Sequence, residues 1–157
     1  MGKYGERAEK LFLDGYNCSQ AVLLSFSDII GIDEKTAAML ASGFGGGMGR
    51  MREVCGTVSG MFMVAGILLG YSEPKDIEGK KATYAVIQEL AASFKEKNGS
   101  IICKELLGLS KPEGTYIPEE RTPEYYTKRP CPKLAGMAAD ILEEYLIAHG
   151  YFTGKGN

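Results

Sequence analysis

Tryptophan is absent from this chain, and histidine occurs once, at position 149. A Ser–His–Asp or Cys–His catalytic site therefore has only His149 to draw on, and no metal site built on two or three histidines fits within one copy. His149 lies at the end of the last expected helix, where interaction with the helix C-terminus is its ordinary role. Charge of one sign is also missing. The 20 acidic and 18 basic residues leave a net charge of −2 and form no block. A pI near 5.5 argues against nucleic-acid binding, which needs a basic stripe. The first residues carry charge but no apolar stretch, and Glu6 breaks the myristoylation pattern, so neither a secretory leader nor a lipid anchor is expected. No CxxC occurs, which removes thioredoxin-like, zinc-ribbon and haem-attachment signatures. No segment alternates apolar and polar residues as a strand would, and no Gly-Lys-Ser or Gly-Lys-Thr follows the glycines, so nucleotide binding is not expected.

What is present is sulfur and glycine. The 157 residues include 21 glycines and four cysteines, Cys18, Cys55, Cys103 and Cys131. The length and the 45% apolar content suit one globular domain over 1–157. With no leader, the thiols are expected in the reducing cytoplasm, where a standing disulfide is rare.

Periodicity predicts an all-α compact bundle of six or seven helices around a buried glycine-rich central helix. Helices are expected at 3–14 (Ala8, Leu11, Phe12 inward), 18–30 after the cap Asn17 (Val22, Phe26, Ile29, Ile30) and 34–42 after the cap Asp33 (Ala38, Met39, Ala41). Asp76 opens a long amphipathic helix to Lys97 with the stripe Tyr84, Ile87, Leu90, Ala91 and Phe94, and Gly99 stops it. A short helix follows at 103–108. A last one starts near Cys131, with Pro132 in its first turn. The segment 109–130 contains Pro112, Pro118, Pro123 and Pro130 among tyrosines, and reads as a long loop. Residues 150–157 read as a flexible tail.

The run Val54–Ser72 is uncharged and long enough to be weighed as a membrane span. Its Gly, Ser and Thr content favours a buried central helix at about 55–70. The pairs Gly56/Gly60 and Gly66/Gly70 permit close helix approach, which also makes a homodimer through this helix a candidate.

All four cysteines fall at expected helix starts. A helix N-terminus carries partial positive charge and free N–H groups, which favour thiolate over thiol. Four helix starts converging on one end of the bundle would build a thiol site from dispersed sequence. The competing reading is inert packing, since cysteine is among the most buried residues. Before Cys55 lies Gly43-Phe44-Gly45-Gly46-Gly47-Met48-Gly49-Arg50. Successive N–H groups of Gly45, Gly46 and Gly47 could form an anion nest, with charge from Arg50 and Arg52; the alternative is a tight loop that lets Cys55 pack closely.

Five segments together resemble a known family, the redox-active proteins named for their C_GCAxxG_C_C pattern. These are Tyr16-Asn17-Cys18-Ser19-Gln20-Ala21-Val22, the glycine loop, Cys55-Gly56-Thr57-Val58-Ser59-Gly60, Cys103-Lys104-Glu105-Leu106-Leu107-Gly108 and Arg129-Pro130-Cys131. Thr57 stands where the family usually has Ala. The resemblance implies redox activity with Cys18, Cys55, Cys103 and Cys131 as the functional set, acting as metal ligands or as redox thiols. A similar module in split-Soret-type cytochromes is associated with an iron–sulfur centre; haem does not carry over, because no CxxCH is present. The leading expectation is thus an iron–sulfur cluster on four thiolates serving electron transfer with an unidentified redox partner. Zinc is the weaker metal candidate, since it usually takes paired CxxC spacings. A metal-free thiol–disulfide protein and a non-catalytic accessory module with structural cysteines are the alternatives.

Overall fold

The computed structural model describes residues 1–111 and 113–152. Among them are eight α-helices: α1 Lys3–Leu13, α2 Cys18–Ser25, α3 Glu34–Ala41, α4 Gly56–Leu69, α5 Ile77–Asn98, α6 Cys103–Leu106, α7 Pro123–Lys128 and α8 Cys131–Ala148. A 3-10 turn at Ser42–Phe44 leads into the glycine turn Gly45–Met48. Among the described residues there is no strand, only an isolated antiparallel bridge between Val54 and Ile102. The all-α expectation holds, with one helix more than the sequence suggests.

Local chemistry explains the starts. Asn17, Asp33, Asp76 and Thr122 each accept a hydrogen bond from a first-turn N–H, capping α2, α3, α5 and α7. α7 lies inside the segment read as loop. Thr122 followed by Pro123 at the first helical position is a start signal that the surrounding prolines disguise. α2 ends five residues earlier than expected, at Ser25, whose hydroxyl bonds back to the Val22 carbonyl at 2.6 Å and competes with the helical ladder.

α2 and α4 form the hub. α1, α3 and α8 pack on α2, and α5 and α8 flank α4. Gly60 sets the α2–α4 distance: a Cβ there would lie 2.7 Å from the Ser19 carbonyl oxygen. The most deeply buried large side chains are Tyr4, Phe12, Phe26, Phe94, Leu23 and Met61. Each such burial contributes about 1.5–3 kcal/mol. Tyr4 stacks on Phe26 at 4.2 Å and donates its hydroxyl to Asp28.

Two inward expectations fail. Met39 is 66% exposed, because α3 turns its small face, Ala37 and Ala41, to the core. Tyr84 is 56% exposed, because α5 buries only Leu90 and Phe94. No helix among the described residues is long and apolar enough to cross a membrane. Of the expected tail, residues 153–157 lie outside the described residues, and Phe152 rests against the Tyr4 ring at 6.3 Å. Pro112 of the expected loop is likewise outside them.

Candidate thiol site

Each cysteine sits at a helix start. Cys18, Cys103 and Cys131 are the first residues of α2, α6 and α8, and Cys55 is the residue preceding α4. A capping box holds Cys18 in place: Asn17 accepts from the Gln20 N–H, and Gln20 accepts from the Asn17 N–H. The Asn17 amide also donates to the Ser42 carbonyl at 3.0 Å, tying α2 to the 3-10 turn that leads into the glycine turn. Cys55 and Cys103 are zipped side by side. The Cys55 N–H donates to Ile101, the Cys103 N–H to Glu53 and the Lys104 N–H to Arg52.

The four helix starts converge. Cys18, Cys55, Cys103 and Cys131 all line one cavity of about 290 Å³. All four are free thiols; the first three are buried and Cys131 is half-buried. His149 is elsewhere, exposed at the end of α8, with Nδ1 on the Tyr145 carbonyl at 2.8 Å.

Burial overturns the thiolate expectation for three of the cysteines. It pushes the Cys18 and Cys55 thiols up, and Cys131 up to about 12, and the neighbouring cysteines reinforce this. Hydrogen bonds from the Gly46 amide to Cys18 and from Thr57 to Cys55 act in the opposite direction but do not prevail. The helix-end charge is worth about 0.3–1 kcal/mol, and desolvating an anion costs far more. The metal-free protein therefore keeps these three thiols protonated at neutral pH.

A comparison with protein families decides the affiliation. A model described as "Putative redox-active protein (C_GCAxxG_C_C)" matches residues 16–145. The chain belongs to this family. No curated protein and no solved structure matches it. The matched stretch includes all four cysteines, the glycine turn and the segment that covers the cavity.

Within the family's glycine turn, five consecutive residues are left-handed. Gly46, Gly47, Met48, Gly49 and Arg50 have φ between 61° and 69°, and Arg52 follows at 61°. For Met48, Arg50 and Arg52 this costs roughly 1–2 kcal/mol each. The N–H groups of residues 49–53 are taken by carbonyls of 45–48, leaving the Gly46 amide directed at the Cys18 sulfur. Gly47 is required by close approach: a Cβ there would lie 2.6 Å from the Cys103 Cβ and 2.8 Å from the Arg52 Cα.

This strained turn places two guanidinium groups over the cavity. Arg52 grips the Glu113 carboxylate through Nε at 2.8 Å and Nη2 at 2.7 Å, while its Nη1 lies 3.7 Å from the Cys103 sulfur. Arg50 reaches Glu113 at 2.9 Å and Glu119 at 3.4 Å, and Arg129 also bonds Glu119. Arg121 lies over the Phe12 ring at 4.0 Å and donates to the Tyr16 carbonyl at 2.7 Å. Residues 113–121 thus form a strap fastened beside the thiols by the ion pairs of Glu113 and Glu119 and, at its far end, by Arg121 on the Tyr16 carbonyl and the Phe12 ring. Glu113, Glu119 and Arg121 escape the sequence reading, with the mixed charges between positions 113 and 129 as their only signal, and Arg129 enters it only as part of the Arg129-Pro130-Cys131 motif.

Proposed function

We propose that this member of the C_GCAxxG_C_C family is an electron-transfer protein of the reducing cytoplasm in which Cys18, Cys55, Cys103 and Cys131 hold an iron–sulfur cluster. The observation that carries this reading is the convergence of four thiols, far apart in sequence, on one cavity. When bound, a cluster supplies one-electron chemistry.

Four thiols lining one cavity are the donor set that such a group takes. Among the described residues, no three of Cys, His, Asp and Glu are grouped as one metal ion requires, which weighs against zinc in a tight tetrahedron. A cavity of about 290 Å³ has room for several metal and sulfide atoms. Its wall presents Arg50, Arg52, Arg121 and Arg129 against Glu119, a cationic balance suited to an anionic cluster. The Gly46 amide and Arg52 aim donors at sulfur, and the strap limits water. Burial raises the Cys18, Cys55 and Cys131 thiols, which weighs against any of these three as the low-pKa attacking cysteine of a metal-free protein.

The test is anaerobic reconstitution with ferrous iron and sulfide. The expected product is brown, with iron and acid-labile sulfide in comparable amounts and visible absorbance that Cys55→Ser abolishes. Proton release should accompany loading, because the thiols must ionise to bind. A protein that takes up no iron, or that loads fully after each cysteine in turn becomes Ser, overturns the reading.

A further inference from the structure

We propose that Arg52 is a positioning residue that sets the reduction potential of the thiol site through Cys103, with Glu113 acting as its opposing dial. The proposal rests on the reading above, that the four thiols hold a redox centre. It starts from how differently the sulfurs are served. Cys18 takes a backbone amide, Cys55 contacts the Thr57 hydroxyl at 3.0 Å, and Cys103 faces a full cationic charge, Arg52 Nη1, at 3.7 Å.

Arg52 is built to hold that position. It is 8% exposed, so water screens its charge little. Its N–H bonds the Gly46 carbonyl at 3.2 Å, and its own carbonyl accepts from Lys104 at 3.1 Å. Its backbone is left-handed, a conformation a non-glycine residue keeps only where the surroundings enforce it. Nε and Nη2 are both fixed on Glu113 Oε1, which leaves Nη1 aimed at sulfur. A guanidinium does not lose its proton in proteins, so the charge delivered to Cys103 is constant across the working pH range.

The consequence is electrostatic. Reduction adds one electron, and with it one negative charge shared by the sulfur ligands. Arg52 offsets that charge through its N–H···S contact and favours the reduced state. The Glu113 carboxylate partly neutralises the guanidinium, and so favours the oxidised state.

The experiment compares wild type with Arg52→Gln, Arg52→Lys and Glu113→Gln, all anaerobically reconstituted. Iron content is measured first. Each protein is then titrated with dithionite as the one-electron donor, with dye mediators and visible absorbance as the readout. Arg52→Gln is expected to lower the midpoint, raising the oxidised-to-reduced ratio at fixed potential about tenfold, which is about 59 mV for one electron. Glu113→Gln is expected to raise it, and Arg52→Lys to fall between Arg52→Gln and wild type. A merely structural role would move Arg52→Gln and Glu113→Gln in the same direction. Such a common shift, or midpoints equal to wild type at full iron content, overturns the proposal alone. If Arg52→Gln does not retain iron, Glu113→Gln decides, and no rise in its midpoint refutes the role. Failure of the wild type to take up iron overturns the proposal together with the reading beneath it.

Discussion

Substituting Gly56 with Ala separates two effects that usually cancel. Gly56 opens α4 against the start of α2, and a Cβ there would lie 2.3 Å from the Cys18 sulfur, 2.9 Å from the Phe44 carbonyl oxygen and 3.2 Å from the Ser19 nitrogen. Ordinary heavy-atom contact is about 3.5–4.0 Å, so the sulfur must move by roughly 1 Å or more. Two of the three neighbours are backbone atoms, so α4 must also back away from α2. Overpacking of this kind costs about 1–3 kcal/mol. The gain in helix propensity is at most about 1 kcal/mol, and less in a first turn. The net expectation is a loss of about 1–2 kcal/mol, or roughly 2–8 °C in Tm for a chain of this size. Gly66 is the control. It lies in the same helix and is exposed, and a Cβ there meets nothing within 4 Å. Gly66→Ala should therefore gain about 0.5–1 kcal/mol. Urea melts of the reduced, metal-free proteins at pH 7 read both, with the midpoint moving at constant m. Gly56→Ala at or above wild type, or Gly66→Ala below it, refutes the packing argument. Because Gly56→Ala displaces the Cys18 sulfur, it should also load less iron, whereas Gly66→Ala should load as wild type does.

Three further outcomes follow from the same contacts. The metal-free protein should lose stability above about pH 8.5, where unfolded thiols ionise, and keep losing it towards pH 12, where buried Cys131 ionises beside Cys18, Cys103, Arg129 and Arg52. The slope is up to about 1.4 kcal/mol per pH unit per thiol, and Cys131→Ser should flatten the profile; an unchanged profile contradicts the burial argument. Asn17→Ala removes the capping box and the link to Ser42, with an expected loss of about 1–2 kcal/mol in a thermal melt. Glu119→Gln should change stability by less than about 1 kcal/mol, yet speed amide exchange in 113–121 and mercurial capture of Cys131, because Glu119 fastens the strap to Arg50 and Arg129. Unaltered exchange in that segment would show the ion pairs to be idle.

What the sequence made legible was local. Asn17, Asp33 and Asp76 announce their helices because a cap acts within three residues, and the same rule places Cys18 at a helix start; Cys55, Cys103 and Cys131 have no side-chain cap before them and are placed by the glycine loop, Gly99 and Pro132. Thr122 acts by the same rule, but the prolines around it read as breakers, so α7 was hidden. The exposure of Met39 and Tyr84 lay beyond periodicity, because a helical stripe says which residues share a face and not whether the bundle reaches that far along it. The left-handed Met48, Arg50 and Arg52 were hidden for a different reason: only glycine advertises that conformation, and here the surrounding contacts impose it on residues that resist it.

The least legible property was the charge state of sulfur. Helix starts favour thiolate, and that inference from sequence was sound for each cysteine taken alone. Convergence reverses it. Bringing the thiols to one cavity removes the water that would stabilise an anion and sets each sulfur against the others. The arginines above them do not restore the balance in full, because Glu113 and Glu119 already accept from Arg50, Arg52 and Arg129. The protons stay on three sulfurs until something positive enters. On the proposed reading, the affinity of this cavity for metal must therefore rise with pH, since protons are displaced as iron binds. A site of exposed, already ionised thiolates would show no such dependence above neutrality. Iron uptake at matched free iron, compared at pH 7 and pH 8.5, distinguishes the two, and a flat response would mean that the buried thiols are not the ligands.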